Sequence, residues 1–434
     1  MKHPLARPMT VGVLALLGGA GLLAGCGKNS PPVPLTHEVY IWQRSWNENV
    51  RQAVAQARAS SVGFVPLAAQ IAWRDGRPAV TWPEVDWKLA GNGHRLTLAV
   101  RIDPLKTKDL GTEEARRAVV DTVREVLRRA RDGGANPAEV QLDFDAAESQ
   151  LAGYAKWVEA ARQTVAPLSV TFTALPCWLK RAEFPALARA GHGYVLQVHA
   201  AEKPTVLTKC LCDAAQARSW VEEAARAAPG VPFRVALPTY TYELAFAPDD
   251  SCLGIVAEGE SRAWPEGSRV VFLRADPAAL AALRDAWNRK RPAEMTGLVW
   301  YRLPVSQDLR NWRWSTLRAM VEGHTPVPRL EIRTQPDTEG KLHDLVIANT
   351  GEADARLPAS ITVGWEAAAS PEAGDALSGY EWSAQGKRAE FRLPDAPSSA
   401  PRVIPPGEMA PLGWLRFSTP VSSMKFDVAR NVSD

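Results

Sequence analysis

Glu139-Val140-Gln141-Leu142-Asp143-Phe144-Asp145 alternates between two chemistries. Val140, Leu142 and Phe144 are apolar; Gln141, Asp143 and Asp145 are polar. Successive side chains of a strand point to opposite faces, so this heptapeptide predicts a short strand with one dry and one polar face. An edge strand with one wet face would show that pattern. So would a strand of a closed barrel, whose apolar set lies under an outer ring of helices and whose polar set enters the lumen. On the second reading Asp143 and Asp145 project the same way from the strand's C-terminal end. The flanking sequence favours it.

From Glu38 the chain alternates strand-like and helix-like stretches. The strands are expected at 39–44, 62–67, 96–102, 140–145, 168–174, 194–199, 233–240 and 298–303. Helices are expected near 48–59, 112–131, 149–165, 183–189, 214–228, 277–289 and 312–322. Thr112 is the expected N-cap of the second, ahead of Glu113-Glu114. Asp75-Gly76 after Trp73 suggests a small hairpin, and Val270–Leu273 an extra strand. Eight strand–helix units over residues 38–323 match an α/β fold of the (β/α)8 TIM-like barrel type. A doubly wound open sheet is the runner-up, but no Gly-rich turn follows an early strand.

From Arg329 the period changes. Strand-like runs separated by Asn349-Thr350-Gly351 and Pro405-Pro406-Gly407 predict a small all-β, immunoglobulin-like domain over residues 329–434. No chemistry is evident in it.

At the other end, Lys2, His3 and Arg7 precede an uncharged apolar run, Val11–Leu23. Its length suits a signal peptide rather than a membrane span. Leu23-Ala24-Gly25-Cys26 resembles the bacterial lipobox, in which cleavage precedes the Cys and that Cys is lipidated. Residues 1–26 are therefore expected to be a lipoprotein signal peptide, with Cys26 the membrane anchor and residues 27–37 a Pro-rich spacer. Gly27-Lys28 places no Asp after the Cys, which by resemblance to proteobacterial lipoproteins points to the outer membrane. The net charge of +3, with no basic, aromatic-interleaved tract, argues against a nucleic-acid partner. Nothing in the sequence speaks to oligomeric state.

In a barrel of this kind, residues at the C-terminal ends of the strands form the ligand site. Taking each strand's polar parity as lumen-facing collects Tyr40, Trp42 and Arg44, Arg101 and Asp103, Gln141 with Asp143 and Asp145, Thr171 and Thr173, Gln197 and His199, Tyr240 with Tyr242 and Glu243, and, from the strand end Trp300-Tyr301-Arg302, Trp300 and Arg302 as candidates. Trp178 lies in the loop after the fifth strand. Carboxylates, aromatic faces and hydrogen-bonding groups suit a carbohydrate better than a phosphate or a metal. Asp143, Asp145 and Glu243 are the candidate catalytic groups, since glycoside hydrolysis needs two carboxyls, or one plus substrate assistance. The alternative is structural: Asp143 pairs with Arg101 on the neighbouring strand and Asp145 caps a loop. The seven His show no HxH or HExxH spacing, so no metal is expected. GxSxG is absent and no cofactor is implied. Cys177, Cys210, Cys212 and Cys252 fall in loops on the ligand side. An even count in an oxidising compartment predicts disulfides, Cys210 and Cys212 each pairing with Cys177 or Cys252.

Val140-Gln-Leu-Asp-Phe-Asp145, Tyr154, Leu175-Pro-Cys-Trp-Leu179, Tyr194-Val-Leu-Gln-Val-His199 and Ala236-Leu-Pro-Thr-Tyr-Thr-Tyr242 resemble a bacterial family catalogued as a domain of unknown function, number 3142. The resemblance runs roughly from Glu38 to Leu303 and implies a barrel. More distantly, Asp143-Phe-Asp145 is similar to the Asp-x-Asp-x-Glu strand of family 18 chitinases. There the terminal Glu is the general acid; here that position is Ala147, and Glu148 follows one residue late. This leaves a different acid, such as Glu243, or a binding protein on a hydrolase scaffold. The expected function is a lipid-anchored, glycoside-hydrolase-like protein acting on or binding an envelope or extracellular polysaccharide. The alternative is a non-catalytic glycan-binding or structural lipoprotein.

Overall fold

The computed structural model describes residues 33–429, except 75–76, 92, 107–109, 200–203, 209, 258, 260, 367 and 395–401. The expected signal peptide, Cys26, most of the expected spacer and Asp75-Gly76 lie outside the described residues.

The strands of the first unit are β1 (Thr36–Ile41), β2 (Gly63–Arg74), β3 (Arg77–Thr81), β4 (Thr97–Ile102), β5 (Glu139–Phe144), β6 (Ser169–Ala174), β7 (Tyr194–Gln197), β8 (Phe233–Pro238), β9 (Thr241–Phe246), β10 (Cys252–Val256), β11 (Arg269–Arg274) and β12 (Met295–Tyr301). Eight of these pair in parallel in the order β1-β12-β8-β7-β6-β5-β4-β2, and β1 pairs with β2 to close the ring. The helices outside it are α1 (Glu48–Ala57), α2 (Trp87–Gly91), α3 (Glu113–Asp132), α4 (Leu151–Val165), α5 (Phe184–Ala190), α6 (Ala214–Ala227), α7 (Pro277–Arg289) and α8 (Trp314–Glu322). Thr112 accepts from the Ala115 backbone N–H and opens α3; Asn47, Asp213 and Asp276 open α1, α6 and α7 in the same way. Each side chain satisfies a backbone donor that the first helical turn leaves unpaired. The structure is thus a (β/α)8 barrel, as the alternation in the sequence implies.

Two departures shape the mouth. β2 continues past the rim, with a register shift between Leu67 and Ala69, and folds back with β3 as an antiparallel hairpin. After β8 the chain leaves the barrel as an antiparallel sheet, β10-β9-β11, before returning through α7.

Outward-facing Val140, Leu142 and Phe144 are wholly buried in the core between strands and helices, where Phe144 packs on Tyr154 and Trp157 of α4. Inside the barrel the side chains form layers. Glu38, Glu139, Thr171 and Arg234 sit lowest. Tyr40, Val65, Ala99, Val195, Ala236 and Val299 form the apolar layer above them. The barrel is therefore a filled core, open only at its rim.

The second unit comprises β13 (Leu330–Pro336), β14 (Leu342–Asn349), β15 (Ala355–Arg356), β16 (Ser360–Trp365), β17 (Pro371–Ala376), β18 (Glu381–Gln385), β19 (Arg388–Arg392), β20 (Val403–Ile404), β21 (Met409–Phe417) and β22 (Met424–Ala429). Two four-stranded antiparallel sheets, β13-β14-β21-β17 and β18-β19-β16-β22, share one core of Leu345, Ile347, Ile361, Val363, Phe391 and Leu415. This is a small β-sandwich. It meets the barrel through Arg274–Asp354, Arg313–Glu408 and His324–Glu352.

Candidate functional site

Asp143 ends the polar face of β5 and pairs in register with Arg101 of β4. Arg101 donates from Nη1 to Asp143 Oδ2 at 2.8 Å and from Nη2 to Asp145 Oδ2 at 2.7 Å. Thr173 of β6 donates to the other Asp143 oxygen at 2.7 Å. One guanidinium therefore holds two carboxylates side by side, and the cluster carries one negative charge more than it neutralises. Burial pushes the Asp143 carboxyl above its ordinary range; Arg101 and Thr173 pull against that, and Asp145 adds to it. Burial would lower the Arg101 pKa, but the two carboxylates overcome it and raise the pKa. The Asp145 side chain is 40% exposed against 8% for Asp143, so Asp145 is the accessible member.

These residues line a cavity of about 370 Å³ at the mouth, together with Trp42, Arg44, Gln197, His199, Tyr240 and Tyr242. Tyr301 of β12 joins its aromatic wall. Its ring lies 5.5–5.9 Å from those of Tyr40, Trp42, His199 and Tyr240, stacked on His199 and edge-on to the others. His199 Nδ1 is 3.2 Å from the Tyr240 hydroxyl, and burial pushes its pKa down to about 3. A neutral imidazole so buried is a packing and hydrogen-bonding group. Opposite, Gln70 of the extended β2 accepts from Arg44 at 2.8 Å and donates to both oxygens of Asp103 at 2.8 and 3.0 Å. Asp103 and Thr173 line the cavity as their parity implies, whereas Gln70 and Tyr301 are lining residues that the candidate set above leaves out.

Residues 93–306 match the family described as Domain of unknown function (DUF3142). The matched stretch runs from the segment before β4 to just past β12. A second domain of unknown function, DUF8456, is matched by residues 332–418 of the sandwich. No curated protein matches the chain. Among solved structures the chain is similar to the Bacillus cereus spore cortex-lytic enzyme SleL, at 12% identity and TM-score 0.48, covering 67% of this chain and 75% of that one. It is also similar to a chitinase from Chromobacterium violaceum ATCC 12472, at 12% identity and TM-score 0.47, covering 67% and 98%. A chitinase from Bacteroides thetaiotaomicron gives 8% identity and TM-score 0.46, covering 62% and 90%. The likeness is one of fold.

Several residues expected at the mouth of the barrel lie elsewhere. Glu243 is on β9, buried in the excursion, where it accepts from Ser261, Trp264 and Arg310. Burial would raise its pKa, but those donors lower it below the usual carboxylate range. It is a saturated structural anion and is not among the residues lining the mouth. Trp300 faces outward and donates its indole N–H to His37 Nδ1 at 3.0 Å, while Trp178 is buried against Tyr154 and donates to the Ala146 carbonyl. Both are core residues. Gln141 lies one layer below the mouth, accepting from the Tyr40 hydroxyl at 2.6 Å. Arg302 pairs with Asp308 and lines a neighbouring cavity instead. Glu148 sits in a short 3-10 turn, 3.4 Å from Arg181.

The expected disulfides are also absent. Cys177, Cys210, Cys212 and Cys252 are all free thiols. Cys252 begins strand β10 rather than reaching a mouth loop, and its sulfur contacts the Gly254 carbonyl. Cys212 is partly buried before α6, where desolvation pushes its thiol up to about 12 and keeps it protonated. Among the described residues no group of His, Cys, Asp or Glu is arranged to hold a metal ion.

Proposed function

We propose that this chain is a membrane-tethered protein of the cell envelope whose barrel captures a saccharide at its C-terminal mouth. The observation that carries this reading is the Arg101–Asp143–Asp145 cluster beside the aromatic wall of the 370 Å³ cavity. A sugar ring presents hydroxyls at its edge and C–H groups on its faces. Asp145 and Asp103 can accept from hydroxyls, Arg44 and Gln197 can donate, and Trp42, Tyr242 and Tyr301 offer faces. A two-carboxylate hydrolytic pair flanks the scissile bond, whereas Asp143 and Asp145 stand side by side on one guanidinium, and the position that would carry the acid for substrate-assisted cleavage is Ala147. Capture is therefore favoured over cleavage. A second reading, hydrolysis, draws on the raised Asp143 carboxyl, since burial is one way to keep an acid protonated for proton donation.

The test is retention of the purified protein on a panel of neutral, amino-sugar and uronate polysaccharides, with reducing-end release assayed in parallel. Retention without release supports capture, release supports hydrolysis, and neither result on any member contradicts both readings. The tether rests on the lipobox at Cys26. Cys26→Ser is expected to move the protein from the membrane to the soluble fraction; quantitative membrane retention of that variant would contradict it.

A further inference from the structure

A larger cavity of about 770 Å³ adjoins the mouth, and Trp42 lines both. It lies between the segment after β1 and the segment after β12, against Phe272 on one face of β11. Its wall carries the neutral hydrogen-bonding side chains Gln43 and Gln307 beside the charged Arg302 and Asp308 and the apolar Val305 and Leu309. The Gln43 Oε1 atom is buried, with no hydrogen-bond partner among the described residues. An unpartnered buried acceptor is unfavourable unless something else donates to it. A third cavity of about 620 Å³ touches the mouth through Tyr242, and the next residue of β11, Leu273, lines it. Its wall combines Val198, Leu211 and Trp220 with Thr205, Thr208 and Gln216. Among the described residues, none of its lining side chains holds a buried acceptor left without a partner.

We infer that the cavity beside Trp42 is a second saccharide subsite, so that the ligand is an oligosaccharide or polymer chain rather than a single sugar. This rests on the saccharide reading of the mouth. One unit lies over Asp145. Its neighbour passes the Trp42 indole, a flat partition that can contact both units, and donates a hydroxyl to Gln43 Oε1. Gln307, exposed at the outer edge, closes the contact from the β12 side. A ligand reaching only the mouth would leave the Gln43 acceptor unsatisfied.

The experiment is calorimetric titration of the full chain with ladders of cello- and chito-oligosaccharides from monomer to hexamer, extended to a ladder from any polysaccharide the panel retains. Affinity is expected to rise by about tenfold or more from one unit to three, about 1.4 kcal/mol or more. Gln307→Trp, which fills the cavity, is expected to abolish most of that gain, and Gln43→Ala to abolish part of it. Ala215→Trp, in the cavity on the other face of β11, is expected to leave the gain in place. Melting temperatures check that each variant folds. Affinity independent of length overturns the second subsite while leaving the mouth reading intact. So does a gain that survives Gln307→Trp or disappears with Ala215→Trp. Failure of every saccharide to bind overturns both.

Discussion

Strand β5 carries two acidic clusters, four residues apart, built from the same three kinds of side chain. At the bottom of the barrel Glu139 and Glu38 share Arg234 and Arg95, and Thr171 donates to Glu139. At the mouth Asp143 and Asp145 share Arg101 alone, and Thr173 donates to Asp143. The lower cluster balances two carboxylates with two guanidinium groups, and each Glu side chain is only 2% exposed. A cavity of about 290 Å³ abuts it, but its carboxylates are already saturated. The upper cluster has a surplus negative charge and an accessible carboxylate. Residue type does not distinguish a structural plug from a ligand site here; charge balance and access do.

That contrast can be broken from either end. Arg234→Met should have the largest effect, because it leaves two buried carboxylates with only the half-exposed Arg95. A loss of about 3–5 kcal/mol is expected in denaturant unfolding, the scale of breaking a buried pair. Glu243→Gln removes the charge facing Arg310 but keeps an acceptor. It should cost about 1–3 kcal/mol of stability, with saccharide binding unchanged by calorimetry.

His199 predicts a pH dependence. Its folded pKa, about 3, lies below the ordinary value of 6.5, so the unfolded chain binds the proton more readily. Stability should therefore be complete above about pH 6.5 and fall as the pH drops toward about 3. Thermal melts of His199→Gln between pH 7 and 5 should show a shallower fall than wild type. A smaller effect on stability is expected for Asp143→Asn. The substitution is nearly isosteric, Thr173 keeps an acceptor, and Arg101 keeps Asp145 as a partner. Unfolding should shift by about 1 kcal/mol, the scale of one hydrogen bond.

The barrel was legible because its strands and helices obey their own periods, and Asp143 and Asp145 were placed together by parity alone. Their shared Arg101 was legible too, as a neighbour across β4 and β5. Parity failed where both faces of a strand are apolar. Leu298-Val299-Trp300-Tyr301 offers no alternation, as expected of a parallel strand buried on both sides, so Trp300 was assigned to the lumen in place of Tyr301. Gln70 was hidden for another reason. The irregularity between Leu67 and Ala69 changes which side chains of β2 face inward, and the strand outruns its expected end. Glu243 and the cysteines were misplaced because the β9–β11 excursion depends on pairings between distant residues that local patterns do not report.

The central claim is that the upper cluster meets a ligand and the lower one does not. Calorimetric titration of Asp145→Asn with a saccharide that wild type binds tests it most directly, since this substitution is nearly isosteric at a half-exposed position. Affinity is expected to fall by about tenfold to a hundredfold, the scale of a lost charge-assisted hydrogen bond, with the melting temperature unchanged. Wild-type affinity in a normally folded variant would contradict the claim and make the Arg101 cluster a second structural plug.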